Sequence, residues 1–153
     1  MKHLLIVYHS QSGNTERMAR CALQGARHPD IEAIEVRLRR AHQAGPADLL
    51  WADGLLIGTP ENFGYISGAM KDFLDRTFYR VEGKLNPMPY GLFVSCGNDG
   101  RGAVRAIERI APGYPLVAVQ EPIIARGELT AQDLQACEEL GMLLAAGLEA
   151  GIY

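Results

Sequence analysis

No apolar run in this chain approaches the ~18 residues needed to cross a bilayer, so a membrane span is not expected. Cysteine is scarce as well: Cys21, Cys96 and Cys137 are odd in number, far apart and without a CxxC pair. Neither a disulfide framework nor a zinc site is indicated, and redox chemistry here would need a borrowed cofactor. Surplus positive charge is missing too. Fifteen Lys+Arg against 18 Asp+Glu give a net charge of -3, which argues against a protein that binds by neutralising nucleic-acid phosphates. Lys2 and its apolar run lead straight into a turn with no small-residue cleavage site behind it. A signal peptide therefore fits poorly, and a cytoplasmic location is expected.

What is present is the makeup of an ordinary globular protein, 48% hydrophobic and 22% charged over 153 residues, enough for one domain spanning 1–153. Apolar runs alternate with helix-period segments from end to end, the mark of βαβ units around a parallel sheet. The periodicity predicts a buried strand at Lys2–Tyr8, a helix over Asn14–Arg27, and an alternating edge strand at Ile31–Leu38. A short helix at Pro46–Trp51 and a central strand at Gly54–Thr59 follow. Next come a helix from Ser67, a strand at Tyr90–Ser95, a helix at Ala103–Ile110 and a last strand within Leu116–Ile124. Thr130, with Asp133 three residues on, suits a capping box that opens the final helix. The basic residues Arg37, Arg39 and Arg40 read as a solvated strand end and loop, with a contact to a 2′-phosphate or an anionic partner as the alternative.

Five strands and about five helices fit a doubly wound sheet, whose ligand site lies beyond the carboxyl ends of the strands. Three loops fall there: Ser10–Thr15, Pro60–Tyr65 and Ser95–Gly100. In the first, Ser10, Ser12 and Thr15 offer hydroxyls, Asn14 an amide, and Gly13 close backbone approach at a helix start. Such a set can hold a phosphate. It lacks the Lys of GxxxxGK[ST], which leaves a triphosphate unneutralised, and it lacks GxGxxG, which leaves a dinucleotide pyrophosphate unsupported. A monophosphate fits better. No Ser/His/Asp or paired-carboxylate constellation asks for hydrolysis.

The run Leu5-Ile6-Val7-Tyr8-His9-Ser10-Gln11-Ser12-Gly13-Asn14-Thr15 resembles the phosphate-binding signature of the flavodoxin family. Gly58-Thr59-Pro60-Glu61-Asn62-Phe63-Gly64-Tyr65-Ile66-Ser67-Gly68, with Met70–Arg76 behind it, is similar to the second flavin loop and following helix of flavodoxin-like NAD(P)H-dependent reductases, the WrbA-type quinone reductases among them. The resemblance implies a five-stranded parallel sheet of order 2-1-3-4-5 and bound FMN. The phosphate would sit on Ser10, Gln11, Ser12, Gly13, Asn14 and Thr15. The isoalloxazine would lie between Pro60, Glu61, Asn62, Phe63 and Gly64 on one side and Ser95, Cys96, Gly97, Asn98, Asp99 and Gly100 on the other.

Phe63 or Tyr65 would cover a ring face or pack within the loop. Glu61 would steer a substrate, disfavour an anionic flavin, or simply stand exposed. Cys96 would be a small packing residue at the flavin edge. Arg101 would be an exposed side chain at a helix start or a partner of reduced flavin near N1, and His9 would point off the strand end. NADH or NADPH would be the reductant, and a small molecule such as a quinone or flavin the electron acceptor. Assembly as a homodimer or homotetramer is common among such reductases, although this chain lacks their extra segment. A one-electron carrier between protein partners and a flavin-free interaction domain are the competing functions. The charge of -3, with Arg37, Arg39, Arg40, Arg101, Arg105 and Arg109 present, is a weak match to the acidic face usual in such carriers.

Overall fold

A computed structural model describes residues 1–153. Strand β1 (Lys2–Tyr8) lies between β2 (Ile34–Arg40) and β3 (Gly54–Asn62), both parallel to it, and β3 pairs in parallel with β5 (Met88–Cys96). The fifth parallel position is shared by β6 (Leu116–Ala118) and β7 (Ile123–Arg126), each paired with β5. Reading across the sheet, the order is β2-β1-β3-β5-β6, which is the expected 2-1-3-4-5 when the parallel positions alone are counted. A two-residue antiparallel strand, β4 (Tyr65–Ile66), is added to the end of β3.

The apolar run of β1 is buried on both faces because each face meets a different helix layer. Leu5 and Val7 join one core with residues of α2 (Pro46–Trp51), α3 (Gly68–Val81) and α4 (Arg101–Ile110), among them Leu49, Met70, Phe73 and Ile107. Leu4, Ile6 and Tyr8 join the other, with Met18 and Ala22 of α1 (Asn14–Ala26) and Cys137 and Leu144 of α5 (Ala131–Glu149). The period of two along the strand thus sorts side chains between two cores. Helices α1 and α5 touch backbone to backbone: a methyl group on Gly25 would meet the Glu138 carbonyl oxygen at 1.8 Å, and one on Gly141 the Ala22 oxygen at 1.9 Å.

Several element ends differ from the sequence expectation. The edge strand runs Ile34–Arg40 and not Ile31–Leu38, so the basic residues lie within it and are largely paired. Arg37 donates to Asp48 at 3.0 Å and stacks 3.8 Å over the Trp51 ring, Arg39 lies 3.7 Å from the same carboxylate, and Arg40 bonds Glu16 at 2.9 Å. The same Asp48 accepts from the Gly45 N–H and closes the start of α2. Strand β3 continues past Thr59 to Asn62, because the proline at position 60 sits near the strand end, where its missing N–H costs little. The single last strand is two, interrupted around Pro122. The capping box at the start of α5 is present, with Thr130 and Asp133 exchanging bonds of 3.0 and 3.1 Å.

Candidate cofactor cleft

The parallel register brings the carboxyl ends of β1, β3, β5 and β7 to one edge of the sheet. There a cleft of about 420 Å³ is lined by Gln11, Ser12 and Asn14 from the first loop, Pro60, Glu61 and Asn62 from the second, and Ser95, Cys96 and Gly97 from the third. Gly127, just after β7, completes the lining. The three loops selected from the sequence therefore converge. The fourth, at Gly127, was not selected, although a glycine directly after a strand is a turn mark.

Helix α1 opens without a side-chain cap, on Gly13 in a left-handed conformation (φ 104°). Its first backbone bond runs from Arg17 N–H to Gly13 C=O at 3.1 Å. The N–H groups of Asn14, Thr15 and Glu16 consequently have no helical acceptor, and they stand at the positive end of the helix dipole. An anion placed there would meet them. Two hydroxyls expected to join in also make contacts within the protein. Ser10 Oγ accepts from Gly13 N–H at 3.1 Å, shaping the loop. Thr15 is 1% exposed, with Oγ1 2.7 Å from Ser95 Oγ. That buried pair joins the first loop to the end of β5. Two further contacts tie the loops together: Asn62 Nδ2 donates to Gln11 Oε1 at 3.0 Å, and Asn14 Nδ2 to the Gly127 carbonyl at 3.4 Å.

Glu61 is neither a free carboxylate nor a simple surface residue. Its Oε1 accepts from Gly100 N–H at 3.2 Å, and its Oε2 from Gly102 N–H at 2.9 Å and Ala103 N–H at 3.3 Å. A carboxylate from the second loop thus caps α4, whose own cap residue, Gly100, has no side chain to do so. The approach is close enough that a methyl group on Gly102 would sit 1.7 Å from the Gly64 carbonyl oxygen. Asp99 Oδ1 accepts from Arg101 N–H at 3.1 Å. Asn98, Asp99 and Gly100 thus shape the third loop outside the cleft lining.

Phe63 and Gly64 form the tip of the β3–β4 hairpin, both with positive φ, 52° and 70°. Phe63 is fully exposed and does not pack within its loop; Tyr65 is 43% exposed. Burial is the main influence raising the Cys96 pKa, followed by the nearby Glu61 carboxylate, so this thiol is a neutral part of the wall. Arg101 is exposed at the start of α4 and makes no ion pair.

The cleft can take a planar, largely uncharged ring between loops two and three, with a monophosphate on the bare N-terminus of α1. Apart from Glu61, which is bonded to the N–H groups of α4, no Asp, Glu, His, Lys or Arg side chain lines it. No cluster of His, Cys, Asp and Glu could hold a metal ion, and no helix is long and apolar enough to cross a membrane.

Residues 1–120 match the model of the NADPH-dependent FMN reductase family. A flavodoxin from Aquifex aeolicus is 31% identical over 161 aligned positions, spanning 95% of this chain and 86% of that protein. An NAD(P)H dehydrogenase (quinone) from Acidithiobacillus ferrooxidans is 35% identical over 123 positions, covering 67% of this chain and 60% of that longer protein. Among solved structures, a flavodoxin from the domain Archaea superposes with a TM-score of 0.81 at 22% identity, over 96% of this chain and 99% of that one. A WrbA-like flavodoxin from Agrobacterium tumefaciens gives 0.77 at 21% identity, over 99% of both.

Proposed function

The chain belongs to the NADPH-dependent FMN reductase family, and from that premise we propose that it is an NAD(P)H-dependent oxidoreductase that passes electrons through FMN to a quinone, free flavin or similar small acceptor. The observation that carries this reading is the cleft itself: a bare helix N-terminus at Asn14–Glu16, joined without any cationic side chain in its lining to a slot between Pro60–Asn62 and Ser95–Gly97 whose one carboxylate, Glu61, is bonded to the start of α4. These residues fit FMN. Asn14, Thr15 and Glu16 would hold its phosphate through their N–H groups, with Ser12 beside them. Pro60, Asn62, Cys96, Gly97 and Gly127 would border the isoalloxazine. FMN, when bound, supplies the chemistry of accepting and releasing an electron pair.

The chain's own part is to orient and to exclude water. The Thr15–Ser95 and Asn62–Gln11 contacts hold the cradle at fixed spacing. Glu61 keeps the third loop closed against α4. Phe63, held out at the rim, would face an incoming ring substrate. One domain is sufficient for all of this, in the cytoplasm and with no nucleic acid. Assembly as a homodimer or homotetramer would complete the outer wall.

A second reading is favoured by one observation: the likeness to the Aquifex flavodoxin spans nearly the whole chain. Under it the protein is an electron carrier between protein partners. Anaerobic mixing of the FMN-loaded protein with NADPH and with NADH separates the two. Rapid bleaching of flavin absorbance is expected for the reductase. Absence of bleaching with either nucleotide, while dithionite still reduces the flavin, refutes it in favour of the carrier. A protein that binds no FMN on titration would refute both.

A further inference from the structure

The ends of β1 and β2 enclose a second depression, of about 210 Å³, lined by Tyr8, His9, Ser10, Arg40 and His42. It opens on the β2 side of the first loop, whereas the cleft opens toward β3 and β5. Its volume equals that of about seven waters, suited to a small oxyanion and its hydration and not to a ring system.

Its lining consists of donors. Arg40 spends one N–H on Glu16 at 2.9 Å and keeps the others. Glu16 is already met by the Tyr8 hydroxyl at 2.8 Å and by Arg20 at 3.8 Å, so its charge is answered. Ser10 Oγ accepts from Gly13 N–H, which leaves its own hydrogen to donate. His42 stands exposed at the lip.

His9 is fixed by its N–H bond to the Gly58 carbonyl at 3.0 Å, and its Nδ1 is buried with no partner. A proton on Nδ1 would be a buried donor without an acceptor, so the neutral ring carries its proton on Nε2. Nε2–H is then the donor that the ring, part of the lining, has to offer. Burial, and then the neighbouring His42, push the His9 pKa down, so the ring remains a neutral donor.

We propose that this depression binds a phosphate-class oxyanion, on the Arg40 guanidinium with His9 Nε2–H, Ser10 Oγ–H and His42. A fixed charge surrounded by neutral donors, with the adjacent carboxylate neutralised, is the chemistry such a dianion requires. The group could arrive as inorganic phosphate or as the 2′-phosphate of a nucleotide. The site lies on the other side of the first loop from the cofactor cleft and touches that loop through Ser10.

The test is an NMR titration of FMN-saturated protein, following His ring and backbone amide signals, with inorganic phosphate, 2′-AMP and adenosine. Saturable shifts at His9 and His42 are expected with the two phosphates and not with adenosine. Arg40→Gln should weaken binding by about tenfold or more, and His42→Ala should weaken it less. Equal affinity for both phosphates identifies free phosphate as the source; tighter binding of 2′-AMP identifies a nucleotide. The proposal is overturned by still His9 and His42 signals, by equal shifts with adenosine, or by unchanged affinity in Arg40→Gln. Shifts confined to the amides of Ser12–Thr15 would also overturn it, and would mark in addition a cofactor loop that FMN had not filled.

Discussion

Replacing Glu61 tests whether the second loop holds the third. Glu61→Ala removes an acceptor shared by the N–H groups of Gly100, Gly102 and Ala103, with the shortest contact at 2.9 Å. Loss of a helix cap costs about 0.5–2 kcal/mol, and loss of a carboxylate at a helix N-terminus about 0.3–1 kcal/mol. Because Gly100 has no side chain to cap α4 and Asp99 meets only the Arg101 N–H, the sum of about 2 kcal/mol is the expected destabilisation. For a domain of this size that corresponds to a fall of roughly 4–8 °C in Tm. Glu61→Gln keeps one acceptor oxygen but loses the charge and sets an NH2 donor against one of the N–H groups, so at least half of that effect is expected. Urea unfolding of the three proteins measures both values, with the midpoint moving and the m-value unchanged. A Glu61→Ala protein within about 0.5 kcal/mol of the parent, the level of an ordinary surface substitution, would refute the cap.

Two further outcomes are expected. Thr15→Val strands the buried Ser95 hydroxyl 2.7 Å away and should cost about 1–3 kcal/mol. With Ser95→Ala in the same protein the loss should be less than additive, and strict additivity in denaturant unfolding would sever the pair. Of the three thiols, Cys137 is fully buried with its pKa pushed up to about 12, so it should react with an alkylating reagent only on unfolding. Cys96 and Cys21, both raised mainly by burial, should react faster as pH rises through and beyond the ordinary thiol range. FMN should slow Cys96, which lines the cleft, and leave Cys21 unchanged; equal rates with and without FMN, read by peptide mass analysis, would remove Cys96 from the cofactor's border.

Where local chemistry decides structure, the sequence was informative. β1 is a near-continuous apolar run, Pro46 and Asp48 mark α2, and Thr130 with Asp133 marks the start of α5; all three are found at the expected residues. The convergence of three loops followed from the strand pattern and the rule that ligands bind at the carboxyl ends of parallel strands. What stayed hidden depends on distant partners. Glu61 looks like any exposed carboxylate until the fold brings it to N–H groups about 40 residues away. Thr15 reads as a residue of the first loop alone, and its buried contact with Ser95, 80 residues on, is visible only in the fold. The β3–β4 hairpin was missed because its turn places Phe63 where Asn or Gly is usual. The arginines of β2 suggested a loop because the partners that make a charged strand tolerable, Asp48 and Glu16, belong to helices.

The backbone contact between α1 and α5 has a consequence for laboratory evolution of this protein. Gly25 lies about 17 Å along the helix axis from Asn14, yet any side chain there must displace the Glu138 carbonyl or tilt α1 away from α5. Tilting a rigid rod at its far end swings its near end, and the near end of α1 is the set of N–H groups that would grip a phosphate. Substitutions at positions 25 and 141 are therefore expected to change phosphate-loop geometry from a distance, which FMN titration of such variants measures. A library confined to residues lining the cleft would leave those positions unexplored.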